Sequence, residues 1–395
     1  MDPKAFQNTT SGRVIRVGQS QAAYWAFVPN PLPPRLAIDW ELAGLNARAE
    51  RAVGELAGLG RMLPNPKLFI SPFLRREAVL SSRIEGTHSD LTDLYLYEGA
   101  QLPLPGMAPQ PTENADVREV YNYVRALEYG LDQLERSQIN FWLVRGMHKV
   151  LLQGVRGEAF TPGEVRTRQN WIGGDTINAA VFVPPPVIEL QPAIDALERY
   201  FYIEDDYPPL ARLAFIHYQF EAMHPFSDGN GRIGRLLLSL LLVGWKLLPL
   251  PLLHLSAYFE ENRQAYYDLL LATSQRGAWR EWLDYFLKGV IAQSQDTIER
   301  IKRLQDLQHH WHDILQMAKA SGSTLRLADY LFESPIITIP YAQRILEMKS
   351  YRGAQRVVEK LIELGLLIPL DERSYGKNYM ARDILLEIFA ERTGG

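Results

Sequence analysis

Cysteine is missing from all 395 residues of the chain. Disulfide bridges and thiolate nucleophiles both need a cysteine, and so do zinc sites that use sulfur ligands. These structures and chemistries are therefore excluded.

Long apolar segments are also missing. The run Leu236–Val243 is rich in leucine, but a transmembrane helix needs about 20 apolar residues. The run is better explained as a buried core helix. No charged and then apolar segment of the kind found in secretory signals opens the chain. We therefore expect a cytoplasmic protein without a membrane partner.

A strong charge imbalance is the third absence. Lys and Arg number 42 and Asp and Glu number 46, which gives a net charge of -4. This balance argues against attraction of nucleic acid or membrane over the whole surface, although a local basic patch remains compatible with it. The hydrophobic share of 47% indicates an ordinary globular protein, and the length predicts two or three domains.

The chain is organised around the stretch His224–Arg235, which reads HPFSDGNGRIGR. It joins two apolar runs with helical character, at 210–223 and 236–243. Three glycines and an asparagine fall within the six positions 229–234, so the backbone can adopt φ > 0 and turn its N–H groups to one side. The residues that follow open a helix, whose N-terminus also favours an anion.

The side chains of this stretch suit a polyphosphate. Arg232 and Arg235 are three residues apart, so they lie on nearby faces of the helix and can hold phosphate oxygens. Asp228 is a natural ligand for Mg²⁺, which prefers one or two carboxylates together with substrate phosphates. His224 stands where a general base would be needed. The pattern predicts a phosphate-binding loop with a proton acceptor at its rim.

The stretch resembles the signature of the Fic family, His-x-Phe-x-Asp/Glu-Gly-Asn-Gly-Arg-x-x-Arg, at every specified position. The resemblance implies a mainly α fold, a Fic-type helical bundle with a β-hairpin flap. It also implies transfer of AMP from ATP, with Mg²⁺, to a Ser, Thr or Tyr hydroxyl of a protein, including the enzyme itself. His224 would be the base, and Phe226 would only anchor the loop. The residues assigned to nucleotide binding are Asp228, Gly229, Asn230, Gly231, Arg232, Ile233, Gly234 and Arg235, with Asp228 also holding the metal.

A second match to the family lies upstream. Ser81, Glu85 and Gly86 fit its inhibitory motif, Ser/Thr-x-x-x-Glu-Gly/Asn. A carboxylate beside Arg235 would occupy the guanidinium meant for the γ-phosphate and would repel that phosphate. The alternative is that Glu85 is a solvated glutamate at a helix end and has no inhibitory role. A further alternative is the reverse reaction, removal of AMP from a modified protein, in which Glu85 would align a water molecule.

Two more features match the family. Alternating residues around Ile172, Gly173 and Gly174 predict a β-hairpin. It resembles the flap that holds a target protein by strand addition, although an ordinary structural hairpin would look the same. Tyr266 and Tyr267 match the pair that walls the adenine, whereas an aromatic pair on a helix is otherwise more often part of a core.

The predicted domains are an N-terminal helical region with the inhibitory helix (1–110), the catalytic core (111–305) and a linker helix with a winged-helix-like domain (306–395). Arg352, Arg356 and Lys360 form a basic stripe on its last predicted helix, as in a DNA-binding module. Ten basic and ten acidic residues between 324 and 395 oppose that interpretation. Contact with a partner or a second copy is favoured, and a DNA-binding regulator with a nucleotide-sensing site is the alternative.

Apolar spacing predicts helices over 38–59, 72–84, 114–134, 139–152, 187–201, 210–223 and 279–319. In the C-terminal segment it predicts three short helices, over 325–332, 339–348 and 353–364, followed by a hairpin with a polar loop at 371–378. Residues 1–35, which are polar and then rich in proline, are expected to form an arm lying on the body of the protein.

Overall fold

The computed structural model describes residues 1–6, 9–19, 23–101, 115–370 and 377–389, and its fold is mainly helical, as predicted. The N-terminal and central helices are α1 (Trp40–Met62), α2 (Lys67–Ile84), α3 (Leu91–Gln101), α4 (Ala115–Leu134), α5 (Phe141–Leu151), α6 (Val187–Tyr200), α7 (Pro209–Met223), α8 (Asn230–Gly244), α9 (Ser256–Glu261), α10 (Arg263–Arg276) and α11 (Trp279–Met317).

Helices α7 and α8 form the centre of the core. Their side chains are apolar and buried on almost every side, which is typical of core helices and not of amphipathic surface helices. They pack against each other, and α4 and α5 pack on α8. The loop 224–229 therefore lies at one end of the core, held between two buried helices.

Helix α2 begins earlier than the sequence indicated. Pro64 and Pro66 precede it and Pro72 lies inside it, although a helix was expected only from Pro72 onward. Pro72 is buried in the core. The C-terminal end of α2 agrees with the prediction and carries the residues Ser81 and Glu85 towards α8.

The N-terminal region differs from the irregular arm that its prolines suggested. Strands β1 (Gly12–Val17) and β2 (Tyr24–Pro29) form an antiparallel pair with Gly12 opposite Pro29. Phe27 on β2 is fully buried and packs its ring against Phe6 and Phe182, with centroids 5.6 and 5.7 Å away. The aromatic cluster explains why this segment is ordered on the body of the protein. Helix α3 was also not predicted.

The C-terminal segment continues from the long helix α11. Its elements are α12 (Gly322–Glu333), β3 (Ile336–Thr338), α13 (Ile339–Ile345), α14 (Tyr351–Glu363), β4 (Ile368–Pro369), β5 (Asn378–Met380) and α15 (Arg382–Phe389), with the sheet order β3-β5-β4. Three helices before a strand pair were expected, and the short strand β3 was not. The predicted loop falls mostly on 371–376, outside the described residues. The likeness to a winged helix stays a prediction, as do the domain boundaries.

The basic stripe lies on α14. Arg352 and Arg356 are exposed, whereas Lys360 pairs with Glu363 at 3.0 Å. The stripe therefore has two cations without an ion pair among the described residues. Helix α12 packs on α2, so the C-terminal segment contacts the helix that Glu85 directly follows. Over the described ranges, no helix has the length and apolar character that crossing a membrane requires.

Candidate active site

Two residues with positive φ set the shape of the loop between α7 and α8. His224 ends α7 in the left-handed region, with φ 46 and ψ 61, and Gly229 precedes α8 with φ 75, a conformation that glycine adopts at little cost. Asn230 closes the loop, because its side chain accepts a hydrogen bond from the Phe226 N–H (2.8 Å) and donates one to the Phe226 carbonyl (2.9 Å).

Phe226 anchors the loop in the core, as expected. Its side chain is fully buried and stacks on the ring of His148 at 3.9 Å with an interplanar angle of 9°. Nδ1 of His148 accepts a hydrogen bond from the Gly163 N–H (2.8 Å). Its Nε2 must therefore carry the proton that it donates to the Asp228 carbonyl, at 3.0 Å. His148 holds the loop on both sides, and no local sequence pattern marked it.

Substituting His148 with Phe should preserve the stacking and remove both hydrogen bonds. Each of the two backbone groups left unpaired costs about 1–3 kcal/mol, so we expect the free energy of unfolding at pH 7 to fall by about 2–6 kcal/mol. Urea denaturation followed by circular dichroism measures this. An unchanged midpoint would contradict the anchoring role.

The same variant should be less sensitive to acid. Burial lowers the pKa of His148 from 6.5 to about 4, so the folded state excludes a proton that the unfolded chain takes up below pH 6.5. The corresponding stability, about 3 kcal/mol, is present above pH 6.5 and is lost as the pH falls towards 4. We expect the loss of stability between pH 7 and pH 5 to be smaller in His148→Phe than in the wild type.

His224 has the properties of a neutral base. Its Nδ1 lies 3.4 Å from the Glu221 carbonyl, which favours the tautomer with Nε2 free to accept a proton. Burial lowers the pKa of His224 to about 4, against the opposing effect of that carbonyl contact, and the Arg166 cation lowers it further. The imidazole is therefore uncharged near pH 7.

Arg166 is a positioning residue that the sequence did not indicate. The residue is 2% exposed, and its guanidinium donates to the carbonyls of His224 (2.9 Å) and Pro185 (2.5 Å). It thereby fixes the backbone of the loop where the imidazole begins. Its partners are far along the chain, so no spacing could have revealed the contact.

The N-terminus of α8 can receive an anion. It has no side-chain cap, so the N–H groups of its first turn, at Asn230, Gly231 and Arg232, are directed out of the helix end. A side chain at Gly231 would clash with Glu85 Oε1, because that carboxylate lies directly against this turn. Ile233 and Gly234, also predicted to bind nucleotide, are buried in the same helix.

Asp228 is a partly free carboxylate beside this helix end. Its Oδ1 accepts the Gly229 N–H at 2.6 Å and lies 3.7 Å from Arg232 Nη2. The side chain is 35% exposed, and Gly157 leaves room against Oδ2. No group of three His, Cys, Asp or Glu ligands occurs among the described residues. A single carboxylate fits Mg²⁺ when phosphates provide the remaining ligands.

The two arginines of the stretch 224–235, both on α8, are buried and already paired. Arg232 donates to Glu119 Oε2 at 3.0 Å. Arg235 donates to Ser81 Oγ (2.7 Å), to the Ser81 carbonyl (3.0 Å) and to Glu85 Oε1 (2.7 Å). The structure thus brings the predicted inhibitory residues onto the second signature arginine.

Glu85 is charged in this arrangement. It follows the last turn of α2, and its side chain is 33% exposed. Burial raises the pKa of its carboxyl, but the ion pair with Arg235 more than compensates, so the pKa lies below its ordinary value. The turn ends at Gly86, with φ 89. A charged carboxylate therefore already occupies the guanidinium of Arg235.

The two tyrosines lie in different environments. Tyr266 is 1% exposed, and its hydroxyl bonds to His217 Nε2 at 2.8 Å, deep in the core. Tyr267 is 40% exposed, and its hydroxyl donates to the Ile84 carbonyl at 3.3 Å. Of the pair, Tyr267 has the exposed ring surface that an adenine ring could contact, and it lies beside the end of α2.

The predicted flap turns back on itself through Gly173 and Gly174, with φ 69 and 76. Only one residue pair is bridged, Ile172 with Phe182, so the strands are shorter than the sequence suggested. Nδ2 of Asn170 donates to the Phe226 carbonyl at 3.0 Å, which ties the flap to the signature loop. The exposed apolar side chains on this hairpin are Trp171, Ile172 and Val181.

Known proteins are similar to parts of this sequence and to its fold. Residues 43–132 match the model described as Fic/DOC family N-terminal, and residues 138–242 match that of the Fic/DOC family. Protein adenylyltransferase fic-1 of Caenorhabditis elegans is 28% identical over 225 residues, 56% of this chain and 41% of that protein. Protein adenylyltransferase Fic of Drosophila persimilis is 34% identical over 141 residues, 35% of this chain and 24% of that protein.

The match covers less than half the length of either relative. A crystal structure of a Fic family protein from Desulfovibrio desulfuricans G20 superposes with a TM-score of 0.54 at 16% identity, covering 89% of this chain and 98% of that one. At this identity the likeness concerns the fold alone. Residues 138–242, which contain the loop and most of α8 described above, are therefore similar to the Fic/DOC family, and residues 43–132 are similar to its N-terminal region.

Proposed function

We propose that the protein is a Mg²⁺-dependent protein adenylyltransferase, which transfers AMP from ATP to a protein hydroxyl and is inhibited by Glu85. One observation carries the proposal. Three groups surround the uncapped start of α8: a neutral histidine, a partly free carboxylate and an arginine paired with a displaceable glutamate. These groups match the needs of phosphate-ester chemistry on a nucleotide. The names of the two relatives support the same activity.

The chemistry requires a proton acceptor and an anion site. The hydroxyl oxygen of the target forms a bond to the α-phosphorus, the bond between the α- and β-phosphates breaks, and pyrophosphate leaves. His224 accepts the hydroxyl proton. The N–H groups of α8 and the guanidinium of Arg235 stabilise the charge that develops on the leaving pyrophosphate. Asp228 would hold Mg²⁺, which supplies further positive charge to the phosphates.

The target would lie along the flap. An extended segment can pair its backbone with a short exposed strand, which fixes a hydroxyl side chain with little demand on sequence. Trp171 and Val181 add exposed apolar surface there. The segment could belong to another protein, to a second copy of this chain or to the enzyme itself, so self-labelling is part of the proposal.

Two labels test the reaction. The purified protein is incubated with Mg²⁺ and ATP labelled at the α-phosphate, and in parallel with ATP labelled at the γ-phosphate. Transfer of AMP predicts protein labelling from the first nucleotide only. Labelling from the γ-phosphate would indicate a kinase, and labelling from neither, even without Glu85, would reject the proposal.

The depressed pKa of His224 predicts a flat pH profile. With a pKa of about 4, the base stays neutral down to pH 6, so the rate of AMP transfer by Glu85→Gly should be the same at pH 8 and pH 6. An ordinary histidine with a pKa near 6.5 would be mostly protonated at pH 6, and the rate would fall about fourfold. Initial rates across this range decide between the two.

Removal of AMP is a second candidate, favoured by the position of Glu85. Its carboxylate is ionised and lies against the first turn of α8, where it could orient a water molecule towards a phosphorus atom. Loss of Glu85 would then abolish removal of AMP while raising transfer. A modified protein prepared with Glu85→Gly and offered to the wild type provides the assay.

A further inference from the structure

A buried glutamate on α4 meets several segments of the site. Glu119 is 1% exposed. Its Oε2 accepts hydrogen bonds from Arg232 Nη1 (3.0 Å) and from the Thr87 hydroxyl (3.4 Å), and its Oε1 lies 3.5 Å from Arg156 Nε. Helix α8, the turn after α2 and the loop after α5 therefore converge on one carboxylate.

The guanidinium of Arg232 lies between two carboxylates. Nη1 is 3.0 Å from Glu119 Oε2, whereas Nη2 is 3.7 Å from Asp228 Oδ1. The Arg232 side chain is 3% exposed, and its Nε has no hydrogen-bond partner in the described part of the chain. Water therefore screens this charge poorly, and charge interactions are stronger in such a site than at the surface.

We propose that Glu119 is a positioning residue that holds Arg232 away from Asp228 and so keeps the Asp228 carboxylate available to a divalent cation. Asp228 and Arg232 are four residues apart at the start of α8, a spacing that favours a side-chain ion pair. Without the charge at Glu119, the Arg232 charge would be satisfied by Asp228 instead. The carboxylate would then be neutralised before Mg²⁺ could bind.

The proposal rests on the proposed function, in which Asp228 receives Mg²⁺ together with the nucleotide. The experiment therefore measures binding separately from transfer. The full chain with Glu85→Gly is titrated with ATP by calorimetry, once with Mg²⁺ and once with a chelator. The ratio of the two affinities, here called the Mg²⁺ gain, reports how much the cation contributes.

Glu119→Gln in this background should reduce the Mg²⁺ gain about tenfold and should raise the half-saturating Mg²⁺ concentration for AMP transfer by a similar factor. A tenfold change corresponds to about 1.4 kcal/mol. ATP affinity in the chelator should change less than about threefold. Glu119→Asp retains the charge and should restore most of the gain.

Two comparisons separate positioning from a structural role. Merely damaged folding would lower ATP affinity equally with and without Mg²⁺, and that outcome overturns the proposal. In an Arg232→Gln background there is no guanidinium left to pair with Asp228, so adding Glu119→Gln should leave the Mg²⁺ gain unchanged. A tenfold loss of the Mg²⁺ gain in the Arg232→Gln background would also overturn the proposal.

Failure of the proposed function gives a different result. If the Glu85→Gly protein shows a Mg²⁺ gain that depends on Glu119 but transfers no AMP, the positioning role stands and the activity is rejected. If AMP is transferred and the gain is the same in Glu119→Gln, the activity stands and the positioning role is rejected. A Glu85→Gly protein without any Mg²⁺ gain rejects both the role of Asp228 and that of Glu119.

Discussion

Replacing Glu85 with glycine is expected to raise AMP transfer between about tenfold and a hundredfold. In the wild type the Glu85 carboxylate accepts a 2.7 Å hydrogen bond from Arg235 and lies against the first turn of α8. A hydrogen bond to a charged group contributes about 1.5–3 kcal/mol, which an incoming phosphate must replace. Without the carboxylate, the guanidinium and the helix N-terminus are both free to bind the γ-phosphate. Initial rates of self-labelling at a subsaturating ATP concentration measure the change.

The fold should tolerate this substitution, since Glu85 follows the last residue of α2 and precedes Gly86. Arg235 would keep its two hydrogen bonds to Ser81, so it should stay in place. Glu135→Gly is the matched control, because Glu135 is an exposed glutamate that directly follows α4 in the same way. Equal labelling by Glu85→Gly and the wild type would show that Glu85 does not inhibit.

Much of the candidate site could be predicted because its chemistry lies in one continuous stretch. Position by position, the pattern 224–235 predicted a turn, a helix start and the charges on it. The residues that hold this stretch in place come from distant parts of the chain. His148, Arg166 and Glu119 lie 80, 58 and 113 residues along the chain from their contacts in the loop. The roles of Glu119 and His148 depend on how α4 and α5 pack on α8, and the role of Arg166 depends on how the segment after α5 lies against the loop. No local pattern specifies these arrangements.

Two other differences also come from contacts between distant parts of the chain. Tyr266 and Tyr267 are adjacent, and sequence alone could not tell which ring turns inward, because the packing of Tyr266 on His217 decides it. In the N-terminal segment, the prolines suggested irregular structure. The apolar residues of β2 nevertheless pair with β1, and the Phe27 N–H donates to the Val183 carbonyl beside the flap at 2.8 Å. A long-range contact of this kind outweighs local preference.

Glu119 and Glu85, which pair with the two arginines of α8, differ in how far their side chains are exposed to solvent. Glu119 is almost completely buried with Arg232, and removing one member of a buried pair strands the other at a cost of about 3–5 kcal/mol. The Glu85 side chain is 33% exposed, so water can replace its contacts. This difference explains why Glu85 suits a displaceable inhibitor whereas Glu119 suits a permanent support.

Replacing His224 with asparagine is expected to reduce AMP transfer by a factor of about a hundred to ten thousand, the range that general-base catalysis contributes. Asparagine cannot accept the hydroxyl proton, yet it tolerates the left-handed backbone that His224 adopts. The loop should therefore keep its shape. The rate is measured in the Glu85→Gly background, with the exposed His310 on α11 replaced by asparagine as the control.

Binding separates a base from a structural residue. The His224 side chain contacts the Glu221 carbonyl, whereas the loop is held by Asn230, His148 and Arg166. ATP affinity in His224→Asn should therefore stay within about threefold of its Glu85→Gly parent. If affinity and rate fell together, His224 would be shaping the anion site, and the proton acceptor would have to be sought among other groups near the flap. Loss of rate at constant affinity is the result expected if the neutral imidazole of His224 accepts the hydroxyl proton.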